Sequence, residues 1–354
     1  MSSLQIQPAT GTTGPDLSWV IRRPAGGRYQ PDVLGLEERP VGEPGPEEVR
    51  VRTLYLSLDP SNLVSLRLQP GWIEDFTVGD VFRGRALAVV EASGSSAFAV
   101  GDLVSGSLPW STRSIVRASA LAPLDSLDSV PLATHLTLFS HVGHAASIGI
   151  TEVGQVRPGE VVLVSGSAGA TGRLAAEIAL AGGARVVGIA GGKAKVAALR
   201  SETGVHGTID YKSENLDEAL ARECPDGVDV YFDNVGGEML DTVLPHMRVH
   251  GRVAICGAMS TYADPDARSI YRYANLFRTL MLRLRIEGFV AADYEHRYGE
   301  LNARLAVLYR DGKITHRPHV LDGIGTAATG LELLLNGAND GKLMVRVSDE
   351  PAAD

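Results

Sequence analysis

A glycine-rich segment in the middle of the chain has the spacing of a dinucleotide-binding loop. Gly166, Gly169 and Gly172 directly follow the apolar run 160–165 and open a helical pattern. The unpaired N–H groups and partial positive charge of a helix N-terminus suit a pyrophosphate, and glycine lets the backbone approach it closely. We predict a dinucleotide site here, with contacts from Gly166, Gly169, Ala170, Thr171 and Gly172. The alternative is a tight strand-to-helix turn that binds no ligand.

The segment after the next apolar run distinguishes between the two nicotinamide coenzymes. An NAD site usually places an acidic residue about 20 residues after the glycine loop, on the ribose 2′-hydroxyl. Here the run 185–190 ends in Gly191, Gly192, Lys193 and Lys195, with no acidic residue. Lysine attracts a 2′-phosphate that a carboxylate would repel, so we predict NADP(H). The alternative is that both lysines are solvated residues of a first helical turn.

Two histidines are a second candidate for chemistry. His141 and His144 are three residues apart on a predicted helix, which is the spacing of a metal pair or an acid–base site. Two ligands do not make a zinc site, and no acidic partner is identifiable nearby. A packed or pocket-lining role is therefore favoured. If His144 faces the coenzyme it becomes a candidate proton donor, because imidazole titrates near neutral pH. Tyr55 and Trp72 either line the same pocket or pack in the interior.

The elements that must position these residues follow from the apolar periodicity. Short β-branched runs between glycines and prolines predict a mostly β domain over 1–125. Beyond it, compact apolar runs alternate with helical stretches, which indicates βαβ units and a parallel sheet. The predicted strands are 48–58, 85–90, 101–107, 160–165, 185–190, 207–211, 228–233, 252–257 and 342–347. The predicted helices are 170–181, 193–202, 215–223, 239–247 and 326–336.

The predicted fold class is therefore α/β. A doubly wound parallel sheet of the Rossmann type over 126–314 binds the dinucleotide, and 315–354 returns to the mostly β domain. The mixed apolar and basic run 278–285 indicates a half-solvated helix leading into a strand.

Composition argues against several other classes of protein. The chain has 354 residues, 33 basic and 42 acidic, with a net charge of −9 and 6% aromatic residues, so a nucleic-acid partner is not expected. Its two cysteines, Cys224 and Cys256, exclude a disulfide framework and a Cys-rich zinc site. Residues 1–20 lack the pattern of a signal peptide, and no apolar run is long enough to span a membrane. We therefore expect a cytoplasmic protein with no membrane partner.

Several segments between about residue 50 and the C-terminus share the pattern of one family. They are 56–60 (LSLDP), 109–111 (PWS), 166–172 (GSAGATG), 210–212 (DYK), 232–237 (FDNVGG), 256–262 (CGAMSTY), 287–290 (EGFV) and 339–342 (NDGK). Together they resemble the zinc-free medium-chain dehydrogenase/reductases. The resemblance is to the group of prostaglandin reductase, leukotriene B4 12-hydroxydehydrogenase and the plant double-bond reductases.

The resemblance implies a GroES-like catalytic domain joined to a Rossmann domain, usually in a homodimer. It also implies NADPH-dependent reduction of the C=C bond of an α,β-unsaturated carbonyl compound, without a metal. In that reaction negative charge develops on the carbonyl oxygen, and Tyr262 and the nicotinamide ribose would donate hydrogen bonds to it. The alternative for Tyr262 is packing with no chemical role. By position, the implied coenzyme contacts are Gly191, Lys195, Tyr211, Asn234, Cys256, Tyr262, Phe289 and Asn339.

Two predicted pocket segments depart from the pattern of that group. Ser61, Asn62 and Leu63 stand where the group commonly carries Tyr-Met-Arg, and 144–147 (HAAS) stands where it carries a Leu-Thr-Ala-Tyr type stretch. An aromatic ring and a hydroxyl near the substrate are lost and a histidine is gained, which leaves the substrate open and allows a bulky one. Two alternatives remain: a redox-neutral or reductive-cyclising tailoring enzyme on the same scaffold, and a non-catalytic NADPH-binding protein.

Overall fold

The computed structural model describes residues 14–25, 29–67, 76–124, 130–262 and 271–351. The chain divides into two compact units. One comprises Met1–Leu136, His319–Ala338 and Leu343–Asp354, and the other comprises Thr137–Pro318 and Asn339–Lys342. The domain boundaries predicted after residues 125 and 314 stay predictions, and the first falls within 125–129, outside the described residues. Trp72 also lies outside them.

The described parts of the first 124 residues contain seven strands and one short α-helix. The strands are β1 (Leu17–Ile21), β2 (Leu34–Glu38), β3 (Glu48–Ser57), β4 (Arg83–Ser93), β5 (Leu103–Pro109), β6 (Arg113–Arg117) and β7 (Leu121–Pro123). The helix α1 (Pro60–Ser65) has proline in its first turn, where a missing N–H costs no hydrogen bond. The backbone N–H of Asp59 donates to Asn62 Oδ1 over 2.7 Å, which caps the helix.

Helices and strands alternate through the second unit. The first eight elements are α2 (His141–Ile148), β8 (Val161–Val164), α3 (Ala170–Ala181), β9 (Arg185–Ala190), α4 (Lys193–Thr203), β10 (Gly207–Asp210), α5 (Leu216–Glu223) and β11 (Val228–Asp233). The next six are α6 (Gly237–Val243), β12 (Met247–Ile255), α7 (Met259–Tyr262), α8 (Arg278–Leu282), β13 (Arg285–Gly288) and α9 (Tyr298–Arg310). Within the described ranges, every helix falls short of the length and apolar content needed to cross a bilayer.

Six of these strands form one parallel sheet in the order β10-β9-β8-β11-β12-β13. Apolar side chains cover both of its faces. Val162 and Val164 of β8 pack into one cluster, and Val161 and Leu163 pack into another. Strands buried on both faces read as continuous apolar runs, so the predicted doubly wound parallel sheet is confirmed. The strand order reverses between β8 and β11, and ligands of such sheets bind outside the carboxyl ends of the strands at that point.

The last three elements are β14 (Pro318–Asp322), α10 (Ala327–Leu335) and β15 (Lys342–Arg346). A seven-stranded sheet follows the order β14-β15-β3-β4-β5-β7, with β6 also paired to β3. β3 is antiparallel to β4, β6 and β15. In the hydrophobic core of the first unit, the rings of Phe82 and Trp110 meet edge to face, with centroids 4.8 Å apart. The predicted mostly β domain is therefore confirmed.

The largest errors in the predicted boundaries concern one helix and the strand after it. The helix predicted over 239–247 ends at Val243, because Pro245 lies in a short 3-10 turn that follows it. β12 begins at Met247, five residues before the predicted strand. Its first half is partly exposed and contains His250 at a φ of 65°, so no continuous apolar run marks it in the sequence. The run 278–285 forms α8 followed by β13, as predicted.

Candidate active site

The glycine loop between β8 and α3 has a backbone that excludes side chains. Gly166 has a φ of 59°, in the left-handed region that favours glycine. A Cβ on Gly172 would collide with the backbone carbonyl of Gly166, and one on Gly169 would lie 3.2 Å from the same oxygen. Gly169 precedes the first turn of α3, and no side chain caps that turn. The backbone N–H groups of Ala170 and Thr171 therefore lie in the first turn of α3, where they can donate hydrogen bonds to a pyrophosphate.

A basic corner, which we define as Gly191, Lys195, Tyr211 and Lys212, lies where β9 and β10 end. A Cβ on Gly191 would lie 2.7 Å from the Tyr211 ring and 3.0 Å from Lys212 Cε, so both side chains extend across this glycine. Tyr211 is 46% exposed and available to a ligand. Burial lowers the pKa of Lys195, the Asp340 carboxylate raises it, and the nearby charge of Lys212 lowers it further.

The basic corner brings together two of the lysines that follow β9 and β10. Lys195 and Lys212 are close enough for their charges to interact, whereas Lys193 is exposed at the start of α4. Our sequence reasoning did not name Lys212 as a contact. Its position two residues after the end of β10, in the 210–212 segment, is the signal that could have found it.

Asp210 holds the basic corner together. Its carboxylate accepts hydrogen bonds from the backbone N–H of Gly192 (2.7 Å), the backbone N–H of Lys212 (3.1 Å) and the Ser213 hydroxyl (2.8 Å). The Gly192 N–H is the largest of the influences that lower the pKa of Asp210. The carboxylate therefore joins the turn after β9 to the turn after β10. Sequence analysis missed this role, because it depends on two strands being neighbours.

Asn234 lies beside the glycine loop, at the carboxyl end of β11. Its side-chain Nδ2 donates to the backbone carbonyl of Ser165 over 2.6 Å. A Cβ on Gly166 would lie 3.5 Å from Asn234 Cβ. The structure therefore brings this predicted coenzyme contact to the first glycine of the loop.

The segment 256–262 packs on the turn that follows β11. The backbone N–H of Met259 donates to the Asn234 carbonyl over 3.1 Å, and the Ser260 hydroxyl donates to the Val235 carbonyl over 2.7 Å. The hydroxyl oxygen of Tyr262 accepts the backbone N–H of Ala258 over 3.3 Å. In that bond the Tyr262 oxygen is the acceptor.

The backbone positions Cys256, and burial disfavours its thiolate. Its N–H donates to the Asp233 carbonyl over 2.8 Å. Burial raises the pKa of its thiol to about 12, so the nucleophilic thiolate is absent near neutral pH.

Two further predicted contacts, Phe289 and Asn339, use their side chains within the protein. The ring of Phe289 lies 6.4 Å from that of Phe232 in a T-shaped pair, and a Cβ on Gly149 would lie 2.8 Å from it. Asn339 Nδ2 donates to the Gly341 carbonyl over 2.9 Å and closes its own turn. These interactions fix both side chains locally, and their coenzyme contacts stay predictions.

His144 lies in a helix interface of the second unit. It is 3% exposed, its Nε2 lies 2.7 Å from Asn302 Oδ1, and its ring stacks on Tyr298 at a centroid distance of 3.9 Å. Ser147 ends the segment 144–147 that departs from the family pattern, and it is fully buried in α2. The geometry supports the packed role for His144 and gives no support to the role of proton donor.

Asn62 and Leu63, from the second segment that departs from the family pattern, are also buried, as is Tyr55. Asn62 caps α1 and Leu63 is 2% exposed in the core of the first unit. The Tyr55 hydroxyl donates to Glu350 over 2.7 Å, and burial, aided by that carboxylate, raises its pKa to about 12. Within the ranges described, no three His, Cys, Asp or Glu side chains are arranged to hold a metal ion.

Comparisons with known proteins identify the family of the chain. The family described as the N-terminal domain of oxidoreductase matches residues 18–124, and the family described as zinc-binding dehydrogenase matches 170–306. The NADP-dependent 2-alkenal reductase of Nicotiana tabacum is 38% identical over 309 residues, covering 86% of this chain and 89% of that protein. The NADPH-dependent curcumin reductase of Escherichia coli is 31% identical, covering 94% of this chain and 97% of that protein.

A solved structure extends the likeness to the whole fold. CurA from Vibrio vulnificus in complex with NADPH superposes with a TM-score of 0.86 at 30% identity, covering 94% of this chain and all of that one. These matches cover both the mostly β region and the parallel sheet. The chain therefore belongs to the medium-chain dehydrogenase/reductase family of oxidoreductases, in its zinc-free group of NADP-dependent double-bond reductases.

Proposed function

We propose that the protein reduces the C=C bond of an α,β-unsaturated aldehyde or ketone with NADPH. One observation carries the proposal: the glycine loop, the basic corner and Tyr262 all follow the carboxyl ends of strands in the same parallel sheet. Relatives named for the same reaction on 2-alkenals and curcumin support it.

The residues present fit an NADPH molecule. Ala170 and Thr171 offer uncapped helix N–H groups to the pyrophosphate. Lys195 and Lys212 supply two positive charges at the basic corner, and the Tyr211 ring lies over Gly191. A 2′-phosphate carries negative charge, so this corner favours NADPH over NADH.

The chemistry needs a hydrogen-bond donor more than a base. When bound, NADPH supplies the hydride that saturates the β-carbon of the enone. Negative charge then develops on the carbonyl oxygen, where a donor placed in advance lowers the barrier. We assign the Tyr262 hydroxyl, whose oxygen accepts the Ala258 N–H, as the donor to that oxygen. The α-carbon takes its proton from water or from a side chain.

A coenzyme-oxidation screen tests the proposal. The purified protein is mixed with NADPH and a series of enones, from small aldehydes to bulky polyketide-like compounds, and products are identified by mass. We expect NADPH absorbance to fall in step with a product two hydrogens heavier. Product without coenzyme oxidation would support the redox-neutral alternative, and saturable NADPH binding without any product would support the non-catalytic one.

Pairing of two copies through β13 is a second part of the proposal. β13 is the outermost strand of the parallel sheet, and its residues are largely exposed. An outer strand offers unpaired backbone groups to another strand. In an antiparallel pair centred on Ile286, Arg285 of each copy lies opposite Glu287 of the other, so the charges are self-complementary. Leu276, Phe277, Leu280 and Val290 are more than half exposed in the neighbouring segments.

Charge reversal tests this pairing. Glu287→Arg places like charges opposite each other, and we expect sedimentation to show a monomer where the wild type is a dimer. Combining it with Arg285→Glu restores opposite charges and should restore the dimer. A monomeric wild type, or a dimer in all three proteins, would refute pairing at β13.

A further inference from the structure

A buried hydrogen-bond cluster lies beneath the glycine loop. We define the Asp233 cluster as Ser165, Tyr231, Asp233 and Asn234. Asp233 ends β11 and is completely buried. Its carboxylate accepts hydrogen bonds from the Tyr231 hydroxyl over 2.8 Å and from the Ser165 hydroxyl over 3.0 Å. Burial raises the pKa of Tyr231 well above its ordinary value, so its hydroxyl stays protonated and donates to Asp233.

The same carboxylate fixes the turn after β11. It accepts the backbone N–H of Val235 over 2.9 Å and that of Gly236 over 3.0 Å. Gly236 has a φ of 68°, so the chain turns sharply at this point. The carboxylate therefore closes the turn on which Asn234 sits.

The backbone of Asp233 fixes the neighbouring loop as well. Its carbonyl oxygen accepts the N–H of Cys256 over 2.8 Å and that of Gly257 over 3.1 Å. The Ser165 hydroxyl, which donates to Asp233, belongs to the residue just before the glycine loop. One residue thus joins the loops that follow β8, β11 and β12.

Asn234 is held by Ser165 at two points. Its backbone N–H donates to Ser165 Oγ over 2.9 Å, and its side-chain Nδ2 donates to the Ser165 carbonyl over 2.6 Å. Because Nδ2 donates to Ser165, the amide oxygen of Asn234 is the side-chain atom that can accept a hydrogen bond from a ligand. A ribose hydroxyl or the carboxamide of the nicotinamide is a donor of the required kind.

We propose that Ser165 and Asp233 are positioning residues that fix Asn234 and Gly166 for the nicotinamide half of the coenzyme. The basic corner holds the adenosine half through different residues, none of which belongs to the Asp233 cluster. Removing a hydrogen bond within the cluster should therefore weaken the binding of NADPH. The binding of a ligand that carries only the adenosine half should stay unchanged. The inference relies on the coenzyme site of the proposed function and not on enone reduction.

Calorimetric titration of variants with two ligands tests this inference. The ligands are NADPH and adenosine 2′,5′-bisphosphate, which lacks the nicotinamide half. The variants are Ser165→Ala and Asp233→Asn. Ser165→Ala removes the acceptor of the Asn234 N–H, and Asp233→Asn removes the negative charge and replaces the oxygen that is the second acceptor of the Gly236 N–H, so we expect NADPH to bind about tenfold more weakly to each. The affinity for the bisphosphate should stay within about twofold, because its contacts do not involve the cluster.

Ser57→Ala is the matched control. Ser57 is also a fully buried serine whose hydroxyl donates to a carboxylate, Asp59, over 2.5 Å, but it lies in the first unit. We expect this variant to bind both ligands as the wild type does. Thermal unfolding of every variant shows which of them fold, and if Asp233→Asn does not, Ser165→Ala alone decides the matter.

Two outcomes would overturn the inference. One is wild-type NADPH affinity in both cluster variants, and the other is an equal loss for NADPH and the bisphosphate. Failure of the proposed function is distinguishable, because a wild-type protein that binds NADPH but reduces no enone leaves the selective loss in Ser165→Ala unchanged.

Discussion

The two ends of the candidate coenzyme site are built on different physical principles. The basic corner is partly exposed, and its lysines act by charge. The Asp233 cluster is buried, and it acts by hydrogen bonds of fixed geometry. Charge selects a ligand over a distance but tolerates movement, whereas buried hydrogen bonds set orientation and tolerate little. In the roles that we propose, the basic corner selects the coenzyme and the Asp233 cluster orients its nicotinamide half.

The largest effect on activity should come from a substitution at Tyr262, beside the proposed position of the nicotinamide. Tyr262→Phe removes the proposed donor to the developing charge but keeps the ring, so we expect kcat to fall about a hundredfold. NADPH affinity, measured by titration, should stay within about twofold, because the donor acts only in the reaction. Full activity in this variant would remove Tyr262 from the mechanism and leave it a packing residue.

The next effect should come from the basic corner. Lys195→Ala removes a charge-assisted contact of about 2 kcal/mol, so NADPH should bind roughly thirtyfold more weakly. NADH has no 2′-phosphate, and its affinity should hardly change. The wild-type preference should shrink as salt is added, because part of the corner is exposed to screening. Equal losses for NADPH and NADH would contradict the assignment of a 2′-phosphate to this corner.

The pH dependence of binding follows from the same lysine. Burial lowers the pKa of Lys195, so its positive charge is lost at a lower pH than in an ordinary lysine. The charge is complete below the lowered pKa, and NADPH affinity should therefore fall as the pH rises through it. NADH binding, followed over the same alkaline range, should stay flat. The Lys195→Ala variant should lose this dependence on pH.

A substitution at His144, which lies outside the basic corner and the Asp233 cluster, should change the stability of the protein and not its catalysis. His144→Ala leaves Asn302 without its buried partner and removes the stack on Tyr298, so unfolding should become easier by about 2 kcal/mol. The turnover of the folded variant should match the wild type. A large fall in kcat without a loss of stability would restore His144 as a proton donor.

The smallest effect should come from the carboxylate that organises the basic corner. Asp210→Asn keeps one acceptor oxygen for the backbone N–H groups of Gly192 and Lys212, so the turn survives in a looser form. We expect the preference for NADPH over NADH, taken as a ratio of affinities, to fall about threefold. A larger change than in Lys195→Ala would mean that Asp210 contacts the coenzyme directly.

Local pattern in the sequence predicted much of the parallel sheet. The helix 170–181 and the strands 185–190 and 228–233 have the predicted bounds, because each is a short run whose periodicity depends only on its own residues. The two lysines after β9 and the missing acid predicted the coenzyme for the same reason. The first half of β12 could not be found this way, since its partial exposure leaves no apolar run.

Contacts between distant residues required the tertiary structure. Ser165 and Asp233 are 68 residues apart, and His144 and Asn302 are 158 apart. The sequence places each residue on its element, but which elements adjoin is decided by strand order and helix packing. Lys212 rather than Lys193 accompanies Lys195 because β10 lies next to β9, and only the folded sheet makes them neighbours. Propensity and periodicity are properties of neighbouring residues, whereas a binding site is a property of the chain folded back on itself.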